Sequence, residues 1–255
     1  MVSAGDSTEL QEPARLASDD PNVVVNWDQA HRYTPAPRHR RRILRRMIAR
    51  LDGVEDVLDA GCGQPFLIDD VVKRLGKRGY GCDISDHVMT ASRGTFAGED
   101  FKAFDLAREA WPGGRQFDLV VCSEALEHIL GWEAALRNVV AMARRYVIIT
   151  VPCGKLRPVD ELMGHHRHYR GLEVVAALRG EGCEPLLVRR WGFPVHTAYR
   201  VAVDRLGSDK VYESFAEGRP YTTVQKLASH VLYALFFPND LFRSGEQLYV
   251  LARKR

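Results

Sequence analysis

The sequence predicts an α/β fold built on a mostly parallel sheet, and two observations carry that expectation. From residue 52 onward, short apolar runs of β type alternate with stretches of helical periodicity. Several of the runs are continuously apolar rather than alternating, the pattern of strands covered on both faces. Size and composition agree. With 255 residues, 45% of them hydrophobic and 27% charged, the chain supports one well-buried core, or one core plus a cap, and chain-wide disorder is excluded.

Taken in order, EDVLDA (55–60), RGYGCDI (78–84), DFKAFD (100–105), FDLVVCS (117–123) and YVIITVP (146–152) read as strands. Helical stretches near 66–76, 86–95 and 131–143 lie between most of them. Two further strands, PLLVRRW (185–191) and EQLYVLARK (246–254), flank an insertion of about fifty residues. Upstream, RHRRRILRRMIARL (38–51) sets Leu44, Met47, Ile48 and Leu51 at helical spacing, so its arginines are expected on the wet face of an amphipathic helix. The net charge of +3 is uneven: residues 1–30 hold one Arg and six acids, residues 31–51 eight Arg and no acid, and the remainder is neutral. The expected organisation is an acidic disordered tail (1–22), a helical segment with the arginine helix (23–52), and a catalytic domain (53–255) that includes a cap at 192–245. Five cysteines, odd in number and without a CxxC pair, argue against a zinc ribbon or disulfide scaffold and fit a reducing cytoplasm. No secretory h-region and no apolar stretch of spanning length is visible.

Function in such sheets sits at the carboxyl ends of the strands. The first end reads Asp59-Ala60-Gly61-Cys62-Gly63-Gln64-Pro65: an acid at the tip, then two glycines that admit a ligand close to backbone. A dinucleotide fingerprint would need a small residue where Phe66 stands, and Pro65 stiffens the loop, so a pyrophosphate site is disfavoured. Asp59 better suits a ligand carrying an ammonium or sulfonium charge. The second strand ends in Asp83, placed to accept from a ribose diol, and the third in Asp105, whose oxygens could take an adenine amine. Each acid alone could equally be a loop cap; their ordered series describes a pocket for a nucleoside with a cationic tail.

VLDAGCG, YGCDIS and FDLVVCSEALEHI, in this order and spacing, resemble the motifs of class I S-adenosylmethionine-dependent methyltransferases over residues 40–255. The resemblance implies a Rossmann-like seven-stranded sheet with the last strand antiparallel, helices on both faces and a helical insertion between the last two strands. It implies S-adenosylmethionine as cofactor, with Asp59, Gly61 and Gly63 around the methionine portion, Asp83 on the ribose and Asp105 near adenine, and with Cys62, Ile84, Leu106, Cys122 and Ser123 also among the cofactor-binding residues. Gln64 and Pro65 depart from the third glycine of many members, which leaves the path of the loop open.

After the fourth strand come Ser123-Glu124-Ala125-Leu126-Glu127-His128. If a helical turn starts here, Glu124, Glu127 and His128 fall at i, i+3 and i+4 and converge on the acceptor side, which is metal-ligand spacing. The alternative, acids favouring a helix dipole, accounts for Glu124 but not for His128. The run is similar to those of the ubiquinone-pathway O-methyltransferases and the small-RNA 2′-O-methyltransferases, where it binds a divalent cation. The second group adds a later histidine, for which His165 is the best-aligned residue; Mg²⁺ or Mn²⁺ is then implied at Glu124, Glu127, His128 and His165. Without a metal, His128, His165 or His168 is the candidate general base. The cluster His165-His166-Arg167-His168 is expected on a loop lining the cleft.

In the insertion, TTVQKLASHVLYALFF places Val224, Leu227, Ala228, Val231, Leu232, Leu235 and Phe236 on one helical face after a Thr222 or Thr223 N-cap. Core packing is the default for that face and a lid over an apolar acceptor the alternative. Peripheral membrane contact is not expected, because the polar face of this helix offers only Lys226 as a firm cation. The reading reached is a cytoplasmic methyltransferase acting on a hydroxyl of a small molecule in a specialised or cofactor pathway. An RNA 2′-O-methyltransferase, a membrane-associated lipid methyltransferase and a non-catalytic S-adenosylmethionine-binding module remain as alternatives.

Overall fold

The computed structural model describes residues 29–207 and 220–255; the expected acidic tail lies outside them. Seven strands form one sheet: β1 (Asp56–Ala60), β2 (Arg78–Asp83), β3 (Asp100–Ala103), β4 (Phe117–Ser123), β5 (Ala143–Pro152), β6 (Cys183–Trp191) and β7 (Gln247–Lys254). Their order is β3-β2-β1-β4-β5-β7-β6. Pairings from β3 through β5 are parallel, whereas β7 runs antiparallel between β5 and β6. The reversal has a simple cause. The chain leaves β6 at Trp191 and re-enters opposite it at Gln247, so β7 must run back along its neighbour.

The order reverses between β1 and β4, where β1 is buried throughout and β4 up to Cys122. Alternation along β4 divides the core. Val120 and Cys122 face a cluster with Leu136, Val139, Tyr169 and Leu178, beneath helices α4 (Trp132–Met142) and α6 (Gly171–Gly180). Leu119 and Val121 face Ile43, Leu44, Ile48, Val71 and Trp191, beneath α1 (Pro35–Ile48) and α2 (Phe66–Leu75). Remaining helices are α3 (Asp86–Ser92), α5 (Pro158–Leu162), and α7 (Val195–Leu206) and α8 (Thr223–Leu235) of the cap. Among the described residues, no helix is long and apolar enough to cross a membrane.

Two sequence expectations need correction. In α1, Leu44 and Ile48 are buried and Met47 and Leu51 half-buried as the spacing predicts, but the arginines do not form a wet face. Arg42 is buried and pairs with Asp240 at 2.8 Å; Arg40 reaches Glu124 at 3.4 Å; Arg41 and Arg45 lie 4.0 and 3.2 Å from Asp70. Only Arg46 and Arg50 of the helix and its C-terminal turn are classed as exposed among these arginines. The helix is wedged between the sheet, α2 and α8, and periodicity within one segment cannot show acids that arrive from others. In α8, Thr222 is the N-cap, its hydroxyl accepting from Gln225 N, as expected. Most of the predicted apolar face is nevertheless outward: Val224, Leu227, Ala228, Val231 and Leu235 are exposed, whereas Leu232 is half-buried and Phe236 buried as core packing would have it, beside Ser229 and Tyr233.

Candidate active site

At the tip of β1 the backbone N–H groups of Gly61 and Cys62 both donate to Cys82 O, at 2.8 and 2.9 Å, which curls the loop over the end of β2. Gly61 needs its glycine twice over: φ is +73°, and a Cβ would lie 2.5 Å from Ala125 Cβ. Gly63 N donates to Asp83 Oδ2 at 2.8 Å and Ser85 N to Asp83 Oδ1 at 3.2 Å, so the acid that closes β2 also fixes the glycine loop. Asp59 is 5% exposed, and its Oδ1 is buried without a hydrogen-bond partner. Burial pushes its carboxyl up to about 7; the Arg40 guanidinium opposes that shift and the Asp83 carboxylate adds to it. A buried acid that is half protonated near neutrality is a place where a ligand cation would be stabilised.

Ile84, beside Asp83, is 72% exposed, an apolar side chain held at the rim of this pocket. Asp105 is partly exposed and already employed: its Oδ1 accepts from Ala107 N at 2.9 Å, and Arg108 lies 3.3 Å away. Ser123 Oγ lies 2.9 Å from Thr150 Oγ1. The side chains of Leu106 and Cys122 are buried in the core cluster, Leu106 Cδ1 lying 3.6 Å from where a Cβ on Gly61 would stand.

On the acceptor side the i, i+3, i+4 expectation fails at its first residue. Glu124 has φ +54° and stands outside the short 3₁₀ turn Leu126–His128, so it shares no helical face with Glu127 and His128. Its carboxylate instead takes Arg40 at 3.4 Å, Thr150 Oγ1 at 3.3 Å and Gln247 Nε2 at 3.2 Å. Glu127, His128 and His165 do come together, with one donor atom from each within 4.8 Å of the others. Glu127 is fully buried with both carboxylate oxygens unpartnered, and burial with Glu124 nearby raises its pKa.

The hydrogen bonds settle which imidazole nitrogens are open. His128 Nδ1 faces the Gly164 carbonyl at 3.1 Å and must donate to it, which leaves Nε2 with a lone pair. His168 Nδ1 likewise donates to Gly154 O at 3.2 Å, so its Nε2 accepts from His165 Nδ1 at 3.1 Å, and His165 Nε2 is left open. Burial lowers the pKa of all three rings, most for His165, which has His128 and His168 beside it. His166 is exposed. The histidine segment thus lines the cleft through His165, with His168 as its support.

Several residues of the site carry no motif. Asp160, on α5, forms a second group with His165 and His168, and both its oxygens accept from Arg200 Nη2 of α7, at 2.7 and 2.5 Å. Arg157 forks onto Glu246 at 2.7 and 2.8 Å, and Arg200 Nε lies 3.2 Å from the same carboxylate, so the cap is latched to the catalytic edge. Arg40 could have been suspected from the arginine run; Asp160 and Arg200 had no local signal.

A profile of a methyltransferase-domain family matches residues 30–197. The chain belongs to that family. Solved structures with the same fold include phosphoethanolamine N-methyltransferase 2 of Haemonchus contortus in complex with S-adenosyl-L-methionine, with 12% identity and a TM-score of 0.60 over 91% of this chain and 56% of that one. Magnesium protoporphyrin IX methyltransferase of Synechocystis PCC 6803 with bound S-adenosylhomocysteine gives 17% identity and 0.51 over 86% and 85%. A 4+2 cyclase gives 18% identity and 0.55 over 84% and 81%, so the likeness of shape does not by itself specify a reaction. No curated protein matches the sequence. Family and fold together make the chain a class I S-adenosylmethionine-dependent methyltransferase.

Proposed function

We propose that the protein transfers a methyl group from S-adenosylmethionine to a hydroxyl of a small-molecule acceptor. The observation that carries the reading is the buried Asp59 carboxylate, its Oδ1 without a partner, at the strand tip that leads into the glycine loop. The residues fit the cofactor. Asp59 would face its cationic methionine end, Gly61 and Gly63 would admit it close to backbone, and Asp83 would accept from the ribose diol with Ile84 against the base. Asp105 would serve the adenine amine with the oxygen capacity its turn leaves. Bound there, the cofactor supplies an electrophilic methyl on a sulfonium whose departure leaves a neutral thioether, so the leaving group needs no acid.

What this chain must do is orient the acceptor and hold its proton. His128 Nε2 would accept that proton, with the His165 ring edge-on beside it, 4.7 Å between centroids, and His168 positioning His165. Kept neutral by burial, both rings offer lone pairs at physiological pH.

A metal-assisted version has one specific observation in its favour, the orphaned carboxylate of Glu127 facing His128 and His165. These three residues would hold a divalent cation; Glu124, committed to Arg40, would not complete the set without moving. Two imidazoles and one carboxylate suit Mn²⁺ or Zn²⁺ better than Mg²⁺, which prefers oxygen ligands. Such an ion would lower the pKa of an acceptor hydroxyl. Dialysis against EDTA should then abolish turnover, with Mn²⁺ restoring it; undiminished turnover disposes of the metal and leaves His128 as base. For the cofactor, Asp83→Ala should remove S-adenosylmethionine binding in calorimetry, and unchanged affinity would overturn the pocket.

A further inference from the structure

The apolar stripe of α8 and the arginines of α1 were separate features of the sequence, and the fold sets them side by side. On α8, Val224, Leu227, Val231 and Leu235 are 77%, 65%, 53% and 54% exposed and lie at i, i+3, i+7 and i+11, one continuous stripe. The opposite side of the same helix packs on α1: His39 Nε2 donates to Tyr233 O at 2.8 Å, and the Arg38 guanidinium lies 3.9 Å from the Tyr233 ring centroid and 3.3 Å from His230 Nδ1. Among the described residues, the stripe therefore points away from the side that packs on α1. Leu241 and Phe242, just beyond the helix, are also exposed.

On the α1 side of α8, Arg38, Arg41, Arg42, Arg45 and Arg74 line, with Tyr233, a cleft of about 210 Å³ around the single carboxylate of Asp70. Asp70 is shared by three of them, at 4.0, 3.2 and 2.6 Å, and Asp240 by Arg42 and Arg46. One carboxylate cannot neutralise three guanidinia, so the cleft keeps a positive excess that attracts anions. Taken alone, α8 offers only Lys226 as a firm cation, too few for membrane contact. The cations it lacks are supplied by the neighbouring helix.

We infer that the α8 stripe and the α1–α2 arginine cleft together form a docking surface for an anionic lipid bilayer. Packed helices lie roughly 8–10 Å apart, so when the α8 stripe enters the boundary between acyl chains and headgroups, the α1 arginines stand at the level of the lipid phosphates. An amphipathic helix with adjacent basic residues is the arrangement such surfaces retain. A nucleic acid would satisfy the arginines but leave the apolar stripe in water, and a second copy of the chain would cover the stripe but bring a second set of arginines with it. The cap joins β6 to β7, whose first residue Gln247 bonds Glu124, so the surface belongs to the same edge of the sheet as the acceptor cleft. The inference does not depend on the hydroxyl assignment.

The test is co-sedimentation of the full chain with vesicles of equimolar phosphatidylglycerol and phosphatidylcholine, and with phosphatidylcholine alone. Binding to the anionic vesicles is expected, weakened at high salt as the Debye length shortens, with little binding to the neutral ones. Leu227→Glu with Val231→Glu should reduce binding at least about tenfold, and Arg46→Glu with Arg74→Glu should reduce it on anionic vesicles. Circular dichroism and S-adenosylmethionine affinity should be unchanged in both, since neither pair touches the pocket. Absence of binding to anionic vesicles overturns the inference. So does a folded Leu227→Glu, Val231→Glu variant that binds as well as the wild type, a dimer in light scattering that this variant dissociates, or salt-sensitive RNA binding that outcompetes the vesicles.

Discussion

Asp59 shows why a residue legible in the sequence still needed its surroundings. Its place at a strand tip before two glycines marks it as a ligand contact, but its protonation follows from burial, which no local motif reports. With the carboxyl raised to about 7 by burial, binding of a cationic cofactor draws on the ionised form, which shrinks as the pH falls. S-adenosylmethionine affinity should therefore drop close to tenfold, roughly, from pH 7.5 to 6 in calorimetry, and Asp59→Asn should flatten the profile. A wild-type affinity that does not vary over this range would contradict the assignment. Glu124 is the reverse case. Its spacing to Glu127 and His128 was read as helical, and the left-handed backbone at Glu124 sends its carboxylate to Arg40, Thr150 and Gln247 instead. Sequence spacing implies a shared face only where the backbone is regular.

At the scale of elements, the strands were legible because continuous apolar runs leave few alternatives, and the boundaries moved by only a few residues. β5 begins at Ala143, immediately after α4, three residues earlier than its apolar pattern suggested, and α3 stops at Ser92. Both α1 and α8 are legible from periodicity, but the pairing of the α1 arginines and the outward apolar residues of α8 are not, since each pattern was weighed against water and core but not against the other helix. Their junction rests on His39. It is buried among Trp191, Tyr233 and Phe236, accepts from Arg42 through Nδ1 at 2.9 Å and donates to Tyr233 O through Nε2. His39→Ala removes the ring stacking and leaves both polar partners unsatisfied, which should cost about 2–4 kcal/mol in urea unfolding. A loss below about 0.5 kcal/mol, the range of neutral surface changes, would show that the two helices do not depend on this residue.

For the whole molecule, the many titratable groups buried near the site set how it responds to acid. Six histidines, at 31, 39, 128, 165, 168 and 196, have pKa values lowered chiefly by burial; His39 falls to about 4 and His196 to about 3. Below pH 6.5 the unfolded chain protonates these imidazoles and the folded chain resists, so stability declines on acidification. Asp59, Asp83 and Glu127, raised by burial, take up protons in the folded state first and act in the opposite sense. Six groups against three decide the direction: stability should fall from pH 6.5 to 4 in denaturant titrations. Glu127→Gln should fall more steeply, having lost one compensating proton. Stability that is flat or rising across this window would refute the balance.

By itself the sequence determined the α/β class, the seven strands and the acids at three strand ends, because a strand, its turn and the following helix are contiguous and their chemistry is written in neighbouring residues. Only the tertiary structure decided that Arg40 would meet Glu124, that His165 would meet His128 and Glu127, that Arg200 would latch the cap through Asp160, and that α8 would show its apolar side outward. Each of those outcomes joins residues from separate elements. Charge pairing, burial and the facing of a helix are properties of what lies across the gap, and periodicity records only one side of it.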